Sequence, residues 1–239
     1  MQPWDSELLR CIWGHVNGGS SFNFKVGPVA QEKLLKILPN LQLEIYKGSP
    51  HDLNLALREI VSPNLRKSDE TSLLLARWIV SNWGGIWRLK EKHLRRWMEE
   101  WNTFQCQSIH AFIATHGVVP NIRDSRISSW SKLLAFSDCE KYAIYDSRTA
   151  VALNCGLYAV GDSRMFFIPN SQNKTTNEAR SVLNLKSDKK SWLGYHEYLS
   201  LLQGFKREGL APNILNAEMV LFSNAPDIAR KFLRDRLNQ

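Results

Sequence analysis

Apolar positions recur with helical spacing along most of the chain. Nowhere does a two-residue alternation run far enough to build a sheet. Leu8, Leu9, Ile12 and Trp13 form the stripe of a helix over 5–16. A second helix is expected over 28–38, opened by Pro28 and stopped before Pro39, and a third over 51–61, ending before Pro63. The stretch 69–83 carries Leu73, Leu74, Ala76, Trp78 and Ile79, too apolar for a surface helix. It is expected at the centre of the core, ending at Trp83-Gly84-Gly85, where glycine accepts left-handed geometry. Helices follow over 86–101, 103–115, 175–185, 192–206 and 213–236, with a short strand near 165–168. The expected fold class is mainly α.

One unit stands out. Residues 127–155 read as a helix, a short connection and a second helix. Trp130, Leu133 and Leu134 give the first helix an apolar face, and Lys132 lies beside that stripe. Asp146 precedes an Ala/Val/Leu run, so it suits the N-cap of the second helix. Two opposite charges thus arise from facing helix ends in an apolar setting. They form either a structural tether or the core of a site, and a surface lysine with a plain cap is a third arrangement.

The 239 residues permit one sizeable domain, or two lobes of a single fold. The formal net charge of +8 favours polyanionic partners. The four cysteines, at 11, 106, 139 and 155, contain no CxxC pair and assemble no metal-ligand set, so reduced thiols and a cytoplasmic location are expected, with no metal. No apolar run reaches the ~18 residues of a membrane span. The N-terminus lacks the basic and apolar regions of a secretory signal. Across 86–101, Arg88, Lys90, Lys92, His93, Arg95 and Arg96 interleave with Trp87, Leu89, Leu94, Trp97 and Trp101. That pattern can track a phosphate backbone, or present a solvated face whose tryptophans pack inward.

The run Ser-Lys-Leu-Leu-Ala-Phe, followed by Tyr-Ala-Ile-Tyr-Asp-Ser-Arg, resembles the Lys…Asp segment of the helix-hairpin-helix (HhH-GPD) DNA glycosylase superfamily. It is most similar to bacterial proteins of 8-oxoguanine DNA glycosylase fold, some of them associated with phage defence. Arg-Trp-Ile-Val-Ser-Asn-Trp-Gly-Gly-Ile resembles the same family, and the likeness covers roughly residues 73–170. It implies a two-lobed helical domain, with 1–65 plus 170–239 as one lobe and 66–169 as the other. It also implies DNA as partner, no cofactor, and excision of an oxidised or modified purine, with lyase activity as an addition. Lys132 would be the Schiff-base nucleophile and Asp146 the charge stabiliser and proton acceptor. A base flipped from the duplex would meet an aromatic among Trp83, Trp130 and Tyr145. Arg88, Lys92 and Arg95 are the phosphate candidates of the 86–101 pattern, and Arg148 could contact phosphate or pair internally with Asp146.

Two features depart from the family. The glycine-rich hairpin that precedes its lysine is replaced by residues 118–126, where Arg123 and Arg126 could substitute for the backbone grip. The Lys132–Asp146 spacing of fourteen is also shorter. A catalytically inactive glycosylase-fold module, binding nucleic acid or a nucleotide in a bacterial defence or restriction system, is the alternative. A helical structural protein is the third.

Overall fold

The computed structural model describes residues 4–18, 28–39, 50–67, 69–87, 90–92, 94–95, 127–170, 173–184 and 191–237. Within them the chain is mainly helical. Asp5 caps α1 (Ser6–Val16) by accepting the Leu8 N–H, and Leu9, Ile12, Trp13 and Val16 form its buried stripe. α2 spans Pro28–Ile37 and buries Ala30 and Leu34. α3 spans Pro50–Leu65 and continues through Pro63, beyond the expected stop. The proline removes one hydrogen bond near the helix end, while Val61 and Leu65, one turn apart, are both held in the core. Ser62 and Arg66 then donate to the Ser137 carbonyl and moor that end of α3.

A reciprocal Asp69/Ser72 capping box opens α4 (Glu70–Arg77). α4 passes without a break into a wide π turn, Trp78–Trp83. Only Gly85 of the glycine pair is left-handed, at φ +70°. Of 86–101, residues 91–92 and 94–95 are helical, Ile86 and Trp87 are not, and the segments 96–126 lie outside the described residues.

α5 (Ile127–Ser137) and α6 (Ser147–Ala159) form the expected helix pair. Sequence pattern places 69–83 at the centre, but Leu74 is exposed, and α6 takes that position. From Thr149 to Leu157 every residue of α6 is buried, enclosed by α1, by α7 (Lys174–Asn184) and by α9 (Ile214–Leu237). Gly156 allows the close approach of α1, since a Cβ there would lie 3.1 Å from Val16 Cγ1.

β1 (Arg164–Phe166) lies at the expected strand, shifted by one residue at its start. It pairs in parallel with β2 (Ser191–Leu193), which sequence pattern assigns to the start of a helix. The buried Asn154 fixes this pair to α6, donating to the Phe166 carbonyl and accepting the Phe166 N–H. α8 (Tyr195–Arg207) follows β2 directly. One hydrophobic core runs through α1, α3, α4, the π turn, α5, α6, α8 and α9. It joins segments that the sequence reading assigns to different lobes.

Candidate functional site: a buried lysine and a capped aspartate at one helix junction

Asp146 accepts the backbone N–H groups of Arg148 (2.9 Å) and Thr149 (3.1 Å), and the Thr149 hydroxyl closes a capping box with the Asp146 N–H. Its carboxylate therefore sits at the positive end of α6, half-buried and held in orientation. The connection leading to it is irregular and buried, and side chains satisfy its backbone. Tyr195 donates to the Ala143 carbonyl (2.6 Å) and Tyr198 to the Ile144 carbonyl (2.8 Å). Glu218 accepts the Ile144 N–H (2.8 Å). The Ser131 hydroxyl accepts the Tyr145 N–H (3.1 Å) and donates to its carbonyl (3.3 Å). A buried non-repeating segment needs such partners, because an unpaired backbone group there costs about 1–3 kcal/mol. Four side chains from α5, α8 and α9 thus fix the approach to Asp146.

The Ser131 bridge decides where Lys132 lies. It brings residue 131 of α5 against residue 145, so Lys132 and Asp146, the next residue on each side, arise at the same junction. Lys132 is not a surface lysine: it is 5% exposed. Its Nζ donates to the Ser128 carbonyl (2.6 Å), one turn back along α5. Its stem passes under Gly84, where a Cβ would lie 2.7 Å from both Cδ and Cε. Burial pushes the ammonium below its usual value. The Asp146 and Glu218 carboxylates pull it back up, and the Arg58 guanidinium pushes it down. The arrangement can hold an amine closer to deprotonation than an exposed lysine, within the field of a fixed carboxylate.

Beneath this junction lies a second charge pair that sequence reasoning did not single out. Arg58 of α3 and Glu218 of α9 are buried and joined by two hydrogen bonds, of 2.8 and 3.2 Å. Asn54 accepts from Arg58 Nε at 3.3 Å. The available sequence signal was a charge on an apolar face, since Arg58 shares a side of α3 with Leu57 and Val61. The partner could not be read, because 160 residues separate the two. Tyr195 and Tyr198 were missed for the same reason, and Gly84, read only as the end of a helix, covers Lys132 through a contact distant in sequence.

Of the aromatic residues expected to meet a base, Trp130 and Tyr145 are core residues. Trp130 packs edge-on against Tyr195, with centroids 5.0 Å apart, and Tyr145 against Tyr198, at 5.1 Å. The Tyr145 hydroxyl donates to the Phe167 carbonyl. Each is 1% exposed, so neither offers a ring face to a ligand, which corrects their assignment as stacking residues. Trp83 is half-buried at the end of the π turn, edge-on to Phe136 at 4.9 Å.

Arg148 stacks its guanidinium 4.6 Å above the Phe222 ring, so its side chain serves packing at the mouth of α6. Lys92 and Arg95 are exposed, and Arg95 pairs with Glu91 one turn away at 2.8 Å. Arg88, Arg123 and Arg126 lie outside the described residues. Among the described residues no three His, Cys, Asp or Glu side chains converge on a metal position, and no helix is long and apolar enough to cross a membrane. Comparison with protein-family models, with curated proteins and with solved structures finds no significant match.

Proposed function

We propose that the chain is a DNA N-glycosylase of helical, glycosylase-like fold that acts on an oxidised or modified purine through Lys132 and Asp146. The observation that carries this reading is the junction itself. A buried amine with a lowered proton affinity arises at the same helix junction as a carboxylate whose position is set by a capping box and a connection anchored by side chains. Fixed geometry and a desolvated amine are what nucleophilic attack on a sugar carbon requires.

In the proposed reaction Lys132 first passes its ammonium proton to water that enters as the covering turn opens. Its nitrogen lone pair then forms a bond to C1′ as the C1′–N bond to the base breaks, and the departing base keeps that electron pair and takes up a proton. The Asp146 carboxylate stabilises the positive charge that develops on the sugar. The attached nitrogen then sheds a proton to O4′ as the C1′–O4′ bond opens, its lone pair forming the C=N bond of a protonated imine, and water later adds to C1′ and releases the amine. The turn Trp83–Gly85 covers Lys132, so this chemistry requires that turn to move when a base enters. Trp83, on the same turn, is the aromatic left to meet the base. Lys92 and Arg95 supply positive charge for the phosphate backbone.

The closure over Lys132 favours a second reading, a non-catalytic nucleic-acid or nucleotide-binding module of a bacterial defence system, with Lys132 as an internal tether. Borohydride trapping on duplex DNA containing 8-oxoguanine separates the two. A covalent adduct that disappears in Lys132→Ala supports the enzyme. Salt-sensitive DNA binding without an adduct supports the binding module. Absence of both leaves a helical scaffold.

A further inference from the structure

We propose that Trp87 and Lys33 form a contact for single-stranded DNA at the edge of the Lys132 cover, with a base stacked on the indole ring and its phosphate on the ammonium. The proposal rests on the reading of the chain as a nucleic-acid-binding protein and adds a surface outside the Lys132–Asp146 junction.

Trp87 is 64% exposed, so this tryptophan of the 86–101 pattern does not pack inward. A lone exposed apolar side chain is ordinary. This ring is neither alone nor loosely held. The preceding residue is fixed to the π turn through both of its backbone groups: the Ile86 N–H donates to the Val80 carbonyl (3.0 Å), and the Ser81 hydroxyl donates to the Ile86 carbonyl (3.3 Å). The π turn is itself pinned to α2, because Trp78 Nε1 donates to the Ala30 carbonyl (2.7 Å). Trp87 is therefore presented on anchored backbone, and a ligand that meets it has little chain left to order. Lys33 of α2 stands over the ring, its Nζ 5.7 Å from the centroid. Val29, one turn earlier on the same side of α2, is 60% exposed and continues the apolar surface along that helix.

Charge selects the occupant. Glu32 is engaged by Lys36 at 2.7 Å, and Glu70 and Glu91 are shared between Arg77 and Arg95. Lys33, Lys90 and Lys92 are exposed and have no acidic partner within ion-pair distance among the described residues. An open aromatic ring with such ammonium groups around it fits a polyanion whose bases stack, because every base offers a flat face and every nucleotide a phosphate. A second copy of this chain would instead set these lysines against their own counterparts. Location favours the same occupant. Gly84 lies over the Lys132 stem and Trp87 follows it by three residues, so their α-carbons are at most about 11 Å apart. A strand held at Trp87 thus bears on the segment that must move to uncover the amine.

The test is binding of fluorescein-labelled oligothymidylate to the full chain, read by anisotropy between ~50 and ~200 mM salt. Trp87→Ala should raise Kd by roughly 10-fold at every salt concentration and leave the slope of log Kd against log salt unchanged, because stacking releases no counterions. Trp87→Phe, which keeps a ring, should fall between that variant and the parent. Lys33→Gln should reduce the slope by about 0.7, the contribution of one single-strand phosphate. Helical circular dichroism checks folding, and if Trp87→Ala does not fold, Trp87→Phe and Lys33→Gln are read in its place. Unchanged affinity in a folded Trp87→Ala overturns the proposal, as does a parent that does not bind the oligonucleotide. Self-association of the parent that is lost in Trp87→Ala, with no oligonucleotide bound, overturns it in favour of a contact between copies. The borohydride adduct with 8-oxoguanine duplex is scored separately. Its absence in every protein, with Trp87-dependent binding intact, removes the glycosylase reading and leaves the strand contact. An adduct in the parent with no effect of Trp87→Ala on binding removes the contact and leaves the enzyme.

Discussion

Gly84→Ala tests the contact between the π turn and the lysine. The residue lies at φ −86°, ψ −6°, which any amino acid adopts, so the substitution carries no backbone strain. Its cost is steric. The new methyl would lie 2.7 Å from Lys132 Cδ and Cε and 2.8 Å from the Ile79 carbonyl oxygen, well inside the 3.4–4 Å of ordinary contact. The lysine stem is buried with its tip bonded to Ser128, and the Ile79 oxygen already accepts the Gly84 N–H at 2.8 Å, so neither yields freely. Overpacking of this kind costs about 1–3 kcal/mol. A central value of about 2 kcal/mol lowers the folded-to-unfolded ratio by a factor of about 30. Urea unfolding of the four proteins in the Gly84→Ala, Lys132→Ala cycle measures it. With the stem removed, only the Ile79 collision remains, and the cost of Gly84→Ala should fall by about 1 kcal/mol or more. Equal costs in the two backgrounds, within about 0.5 kcal/mol, would show that the turn does not rest on Lys132.

Asp146→Ala loses both cap bonds and should destabilise by about 0.5–2 kcal/mol, whereas Asp146→Asn keeps a capping oxygen and should unfold within a few tenths of a kcal/mol of the parent, as read by denaturant titration. On the glycosylase reading the asparagine variant still binds DNA and no longer forms the borohydride adduct; full adduct yield would remove Asp146 from the chemistry. Burial holds the hydroxyls of Tyr145, Tyr195 and Tyr198 well above the usual tyrosine range. The stability they contribute is present below the unfolded value near ~10 and is lost as pH rises beyond it. Lys132, pushed down by burial, works in the other direction and adds stability as pH climbs towards ~10.4. Of the six tyrosines, these three should therefore ionise together with loss of helical circular dichroism above ~pH 10; ionisation of all six in a protein that stays helical would contradict the burial of the three rings.

Local pattern determined much of this protein. The Asp5, Asp69 and Asp146 caps are each set by a polar acceptor next to an apolar run, and the contest for the first backbone N–H groups of a helix is settled within a few residues. The helical periodicity of α1, α5, α6 and α9 is legible for the same reason, because burial repeats at the pitch of the helix. Where local and long-range terms compete, the pattern misleads. Pro63 marks a stop, but the core holds Val61 and Leu65 and the helix continues. Trp192 and its neighbours read as the start of a helix, but pairing with β1 draws the backbone into a strand.

The site divides in the same way. Asp146 as a cap is written in 146–149. Lys132, offset from the stripe of its own helix, reads as half outside the core, and its burial arises because α3 and the Gly84 turn close around α5. The Arg58–Glu218 pair, the two tyrosines on the connection and the covering of Trp130 and Tyr145 likewise depend on which helices become neighbours. A residue's own segment specifies its backbone. The dielectric around its charge and the partners of its polar atoms are supplied by elements distant in sequence, and only the tertiary structure assigns those.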